Sequence, residues 1–422
     1  MSKHIYWVLL LAGSSYCHNV TIWESNLHDG VRNELVSMFR AAGALVYVLG
    51  HKQRRAMGQE ILNDNGVSFL PTPALLRQKV LHSMDLLENE MENFYVEVKS
   101  TSIMKNTDAF VCSFPMSQCE LYMPFNKSII WLAAHRYSLG RCSADSWNKL
   151  DRHLAMTVNA TRIATGVIPY SIVAAMNEFD INYINYYTGI NPTLFEAIGI
   201  LYGGARTANY SLERREILLW PADYFQNKKI VEMVSVANTS GFELRTARQM
   251  YKRYTFQQLA NHRAAILIPY AVHSYGMTEL YALGVPLFVP APEFLYSLKS
   301  MVDFQHKADF YCGGRSSPPA RHPKSFHELN PESSEKSSFM YWIKYADFYR
   351  WPHITYFSSI TELTQKLKSA DFLAIHNKMI LENEFRLQRS QGAYRDLLSK
   401  IKVGRQVPSE SYKKAIKNLW DV

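Results

Sequence analysis

The chain has 422 residues, of which 47% are hydrophobic and 20% charged, with a formal net charge of +9. A single core stops growing well short of this length, so two α/β-sized domains of roughly 200 residues are expected, and the composition excludes wholesale disorder. The basic residues are dispersed rather than gathered into runs, which argues against a nucleic-acid tail and leaves a diffuse field favouring acidic ligands such as phosphates.

The chain opens "MSKHIYWVLLLAGSSYCHN". Basic residues, an apolar stretch from Ile5 to Ala12 and then small residues have the layout of a short secretory signal over residues 1–18. The stretch is too short to span a bilayer unaided. The same run is compatible with a buried first β-strand, which would make the protein cytoplasmic. Asn-x-Ser/Thr sequons at Asn19, Asn126, Asn159, Asn209 and Asn238 lean towards the secretory pathway, either the ER/Golgi lumen or the exterior. Cys17, Cys112, Cys119, Cys142 and Cys312 are compatible with two disulfides, and none has zinc-site spacing.

Thr21–Glu24 reads as a strand, followed by a helix whose face carries Val31, Leu35, Met38, Phe39 and Ala42, and by a strand over Leu45–Leu49. The alternation continues with strands in "TDAFVCSF" and "KSIIWLAAHR". Strands that are apolar throughout and alternate with helices predict a parallel sheet covered on both faces. The region from about residue 188 has a Gly pair and no clean period, so the domains are expected to be 19–200 and 201–400. The second series runs strand "EILLW", helix "NKKIVEMVSVAN", strand "FELRTA", helix "TFQQLANHR", strand "AAILIPY", helix "MTELYALG", strand "PLFVP" and helix "PEFLYSLKSMVDF". Residues 313–338 read as a polar loop with no core-forming pattern. "HITYF" reads as a further strand, Ser359 to Lys400 as helices, and 401–422 as a tail helix.

In a doubly wound sheet, ligands bind beyond the carboxyl ends of the strands, so the loop after "AAILIPY" is a site by topology. Ser274 and Thr278 can cap or line the following helix, Gly276 permits close backbone approach, and free N–H groups there suit a diphosphate. Glu279 offers two acceptors to a ribose. The competing reading of Glu279 is an acid that complements the helix dipole.

The segment "SYGMTELYALGVPLFVP" resembles the nucleotide-sugar half of GT-B-fold glycosyltransferases, with Glu279, Ala282, Gly284 and Pro286 in the family's order. "HDGVRNELVSMFRAAGALVYVLG" resembles the family's first loop and helix, although Asp29-Gly30 replaces the usual Gly-Gly. "TDAFVCSFPMSQCELYMPFNKSIIWLAAHR" is similar to a strand pair ending in a cleft-facing His. Longer stretches resemble uncharacterised glycosyltransferase-like proteins of algae, large viruses and some invertebrates.

The resemblance implies two Rossmann-like domains facing each other across a cleft. It also implies that Glu279 holds the donor ribose and that the backbone over Ser274, Tyr275, Gly276, Met277 and Thr278 meets the diphosphate. The family's basic pair is not identifiable, and Lys228, Lys229 and Arg263 are the candidates for it. His135, at a strand end, is a candidate general base or acceptor-orienting group, and His28 with Asp29 is a second candidate. Asp347, Trp351 and His353 mark an aromatic stretch that could stack on a sugar face, although such a cluster is more often core or domain-interface packing.

No Asp-x-Asp pair, HExxH, phosphate-loop or Gly-x-Gly-x-x-Gly motif is present. The expected activity is transfer from a nucleotide-sugar co-substrate to a glycan, protein or small-molecule acceptor without a required metal or other cofactor. The alternatives are a nucleotide-sugar 2-epimerase of the same fold and a secreted sugar-binding protein without turnover.

Overall fold

The computed structural model describes residues 20–26, 28–49, 67–70, 88–163, 169–220, 228–251, 253–298 and 318–404. The expected leader at 1–18, Asn19 and the tail beyond Gly404 lie outside the described residues.

The first sheet contains β1 (Thr21–Ser25), β2 (Leu45–Leu49), β3 (Val67–Leu70), β4 (Ala109–Cys112), β5 (Ser128–Ala133), β6 (Ile172–Ala175) and β7 (Thr193–Leu194). Their order is β3-β2-β1-β4-β5-β6-β7, with every pair parallel. The second sheet contains β8 (Ile217–Trp220), β9 (Leu244–Thr246), β10 (Ala265–Leu267), β11 (Leu287–Pro290) and β12 (Thr355–Phe357). It is ordered β12-β11-β10-β8-β9 and is again wholly parallel. Strand order reverses beside β1 in the first sheet and beside β8 in the second, which opens a crevice at each switch point.

Central strands are covered on both faces, which is why they read as unbroken apolar runs: all residues of β1, β4, β5, β6, β8, β10 and β11 are buried. The Asp29–Ala41 helix is started by His28, whose ring accepts from the Val31 N–H. It ends before Gly43, whose φ of +97° is natural only to glycine. The Met116–Phe125 segment forms a 3-10 helix, which the Cys112–Cys119 disulfide ties to the end of β4.

Three devices join the two sheets. Glu34, on the first helix, accepts hydrogen bonds from the backbone N–H groups of Ile198 and Gly199, both 2.9 Å, and so grips the connecting segment. A 33-residue closing helix, Phe372–Gly404, then returns to the first domain. Its Tyr394 ring lies 4.9 Å from both Phe39 and Phe195, and Arg386 pairs with Glu196 while its guanidinium sits 3.7 Å above the Trp351 ring.

The third device lies in the segment read as a polar loop, which over its described residues 318–335 has no helix or strand. Residues 318–335 lie against the Glu178–Thr188 helix of the first domain, with the His322 N–H donating to the Tyr186 carbonyl and Ser325 Oγ to Asn185 Oδ1. Within this strap Ser325 and His327 are buried. Ser325 bonds Asn185 and His327 Nδ1 meets the Tyr341 hydroxyl, so the buried residues are polar and leave no apolar periodicity to read. Among the described residues, no helix is long and apolar enough to cross a membrane.

Candidate functional site

The carboxyl ends of the two sheets converge. His28 follows β1, Phe114 follows β4, His135 follows β5, and Tyr275 and His273 follow β10. Their rings form a continuous row: His135 to Phe114 at 6.3 Å, Phe114 to His28 at 5.3 Å, His28 to Tyr275 at 5.4 Å, and Tyr275 to His273 at 4.8 Å. The row starts in the first domain and ends in the second. The Tyr275 hydroxyl also reaches Met176 Sδ, 3.2 Å away beyond β6. Two histidines expected on separate loops are therefore brought to one line, and the link between them is Phe114.

His28 is exposed, and its cap bond to Val31 is long at 3.4 Å. Asp29 turns aside to accept from Arg32 Nη1 at 3.1 Å. The expected His28–Asp29 partnership is thereby replaced by an Asp29–Arg32 pair, because successive residues in the first turn of a helix point about 100° apart. His135 is half-buried.

The loop after β10 behaves differently from its sequence reading in several respects. Ser274 is the N-cap of the Tyr275–Ala282 helix by backbone conformation, but its side chain makes no capping bond. Met277 and Thr278 are completely buried. The Thr278 N–H and hydroxyl both donate to the Ser274 carbonyl, so Thr278 closes the helix's first turn and presents nothing to a ligand. Gly276 does permit a close approach, and its partner is an indole: a Cβ there would lie 2.5 Å from Trp220 Nε1.

Glu279 is half-buried and accepts a hydrogen bond from the Tyr202 hydroxyl at 3.2 Å. Burial pushes its carboxyl up to about 7, the Tyr202 bond lowers it, and the neighbouring Glu34 charge raises it further. Around it stand Trp220, at the end of β8, and Tyr254, whose ring lies 5.6 Å away in an edge-on arrangement. Tyr254 is raised chiefly by burial, feels the Glu279 charge, and is drawn down by Arg248. A carboxylate, two aromatic rings and a cation thus share the carboxyl edge of β8, β9 and β10.

The three candidate cations fare differently. Arg263 precedes β10, whose other end carries the site, so roughly 15 Å of extended chain separates it from the loop. At that amino edge its carbonyl accepts from the Tyr210 hydroxyl at 2.7 Å. Parallel strands place every amino end on the face away from the cleft, and this removes Arg263 from the donor site. Lys228 and Lys229 begin the Lys228–Thr239 helix, but their side chains lie outside the described residues.

A pair that spacing could not reveal stands at the loop after β10. His273 and Asp347 are 74 residues apart, and Nδ1 of the imidazole meets the Asp347 carboxylate in a buried contact. The opposite ring nitrogen, Nε2, is buried and has no hydrogen-bond partner among the described residues. Asp180 and Glu34 are both lowered by the charge of His273, although burial dominates and leaves Asp180 at about 6. Asp347 touches the imidazole, and Asp180 and Glu34 lie near enough to interact with it. Trp351, offered as a sugar platform, is packed between Tyr281 and Arg386. Among the described residues, no group of three or more His, Cys, Asp or Glu is arranged to hold a metal ion.

The architecture is of GT-B type. Two parallel Rossmann-like sheets present their carboxyl ends to each other, and the last helix crosses back. No family model matches the sequence, and no curated protein does. Solved structures similar to this chain include the glycosyltransferase SnogD from Streptomyces nogalater, at TM-score 0.42 and 12% identity over 91% of this chain and 99% of that one. Arabidopsis thaliana UGT89C1, complexed with UDP-L-rhamnose, is similar at TM-score 0.38 and 11% identity over 86% and 99%. The spinosyn rhamnosyltransferase SpnG, complexed with thymidine diphosphate, is similar at TM-score 0.35 and 11% identity over 90% and 100%.

Proposed function

We propose that the chain is a glycosyltransferase that binds a nucleotide sugar on the second sheet and its acceptor on the first. The observation that carries this reading is the ring row from His135 to His273, which runs from one switch-point crevice to the other and ends at a helix N-terminus beside an imidazole nitrogen with no hydrogen-bond partner among the described residues.

In this reading the Trp220 and Tyr254 rings flank the base, and Glu279 accepts from the ribose hydroxyls. The N–H groups of Tyr275, Gly276 and Met277 meet the diphosphate at the positive end of the helix. His273, held in orientation by Asp347, stands beside the diphosphate in place of Arg263. Tyr275 stands between the donor and acceptor crevices.

His28 takes the proton of the acceptor hydroxyl. It is exposed, touches both domains, and has a cap bond weak enough to be given up when the ring turns. The hydroxyl oxygen forms its bond to the sugar's anomeric carbon as the bond from that carbon to the diphosphate breaks. The electron pair leaves with the nucleoside diphosphate, whose developing charge falls on the helix N–H groups. His135, reached through Phe114, positions the acceptor.

The reading extends to the secretory pathway. It is supported by the Cys112–Cys119 disulfide and by the exposure of the four described sequon residues, Asn126, Asn159, Asn209 and Asn238. A thermal-shift panel of UDP-, GDP- and dTDP-sugars tests the central claim, since a ligand at a hundred times its Kd adds about 2.7 kcal/mol of stability. Stabilisation by at least one sugar nucleotide, lost in Glu279→Ala, is expected; no response to any of them overturns the assignment.

A further inference from the structure

The strap and the two short helices after it, Lys336–Ile343 and Asp347–Arg350, belong to the second domain in sequence; the helices are anchored there, with the Tyr349 hydroxyl donating to the Pro290 carbonyl, and the unit also packs on the first domain. Their target is the Glu178–Thr188 helix, nearly all of which is buried. One side of that helix follows β6 in its own domain, and the other is covered by this 318–350 unit.

At the centre of the contact, Glu332 accepts from Arg136 Nη1 at 3.0 and 3.3 Å and from the Tyr183 hydroxyl at 2.7 Å. Arg136 is fully buried, stacks 5.1 Å from the Tyr183 ring, and is held in a left-handed conformation at φ +36° with its N–H on Asp180. Trp342 packs edge-on against Phe179 and Tyr186, and Arg350 reaches Glu178 at 3.6 Å. Gly189 has no room for a side chain because His322 lies over it: a Cβ there would be 2.4 Å from the imidazole Nδ1.

The same unit carries Asp347. Its N–H donates to the Val272 carbonyl at 3.3 Å, and its carboxylate holds His273. The dyad of the site and the Glu332–Arg136 pair are therefore two ends of one body.

We propose that the 318–350 unit is an inter-domain clasp that holds the cleft shut without any ligand and keeps Asp347 on His273, with Glu332 on Arg136 as its latch. Glu332, Trp342, His322 and Arg350 all bear on one helix, so the unit leaves it as a cooperative step rather than by gradual loosening. The unit, the Glu178–Thr188 helix and the 270–275 loop should then open together. This inference rests on the contacts alone and stands whether or not the cleft transfers sugars.

Hydrogen exchange on the ligand-free full chain tests it, comparing wild type with Glu332→Gln. Glu332 sits at the rim with 20% side-chain exposure, so the substitution removes the charge with little change of shape. Amides of residues 178–188, 322–345 and 270–275 should exchange roughly ten- to hundredfold faster, as expected for loss of a charged buried hydrogen bond, while those of β8 and β10 keep their wild-type rates. Unchanged rates in the three segments overturn the proposal.

Should the variant exchange faster everywhere, the wild-type chain in graded denaturant decides. One shared opening free energy for the three segments, below that of β8, supports the clasp. Three independent openings refute it.

Discussion

Replacing Glu279 by Gln probes the electrostatics of the cleft and the proposed ribose contact together. Burial lifts this carboxyl from 4.5 to about 7. Each unit is about 1.4 kcal/mol of preference for the neutral form, so an ionised Glu279 lowers native stability by roughly 3 kcal/mol relative to a neutral group there. The sign follows from linkage: below about 4.5 the group is protonated in both folded and unfolded chains, stability falls as pH rises from 4.5 through 7, and it is level above that. Gln keeps an acceptor for the Tyr202 hydroxyl and cannot ionise. The stability difference in favour of the variant should therefore be near zero at pH 4.5 and reach about 2–3 kcal/mol at pH 8. At an unfolding entropy of ~2.1 cal/mol/K per residue this amounts to about 3 °C in melting midpoint for the chain. Glu24 and Asp151, raised to about 7 by their own burial, titrate in both proteins and cancel in the comparison. Denaturant unfolding at pH 4.5, 6 and 8 supplies the measurement. A difference that is flat with pH, or one that favours wild type at pH 8, refutes the account of Glu279 as a buried acid without a cationic partner.

Three further substitutions address other contacts. Asp347→Asn should cost about 1–3 kcal/mol in urea unfolding and weaken UDP binding by calorimetry about tenfold; lost stability with unchanged affinity would confine the dyad to a scaffolding role. In Gly276→Ala, the new methyl meets the Trp220 indole at 2.5 Å. A loss of about 1–3 kcal/mol with a shift in tryptophan emission is expected, and wild-type stability would show that the helix can back away. Glu34→Ala leaves the Ile198 and Gly199 N–H groups buried without an acceptor. A loss of about 2–4 kcal/mol in thermal or denaturant unfolding is expected, and one below 1 kcal/mol would mean that water replaces the carboxylate.

The parallel sheets were legible because fully covered strands are written as apolar runs, as in "SIIWLA" for β5 and "LFVP" for β11. Strand ends were less so: "KSIIWLAAHR" yields a strand only over Ser128–Ala133, and the chain bends before His135. The loop beyond β10 could be located by topology, but sequence could not say which of its side chains face outward. Thr278 looks like a ligand-binding hydroxyl in the string and is consumed by the helix's own first turn. Arg263 shows the opposite case, in which the signal was present: a residue that precedes a parallel strand stands at its amino end, away from the ligand. The His273–Asp347 and Glu332–Arg136 pairs join positions 74 and 196 residues apart, and no local period encodes such distances.

The closing helix carries a consequence for biosynthesis. Phe39 and Phe195 are complete early in translation, but the Tyr394 ring that covers both is made about 200 residues later. At ~5–20 residues per second the first domain waits on the order of 10–40 s with that greasy patch bare on the ribosome. Nascent chains stalled before residue 390 should accordingly be the species that chaperones hold, and release should coincide with emergence of the final turns.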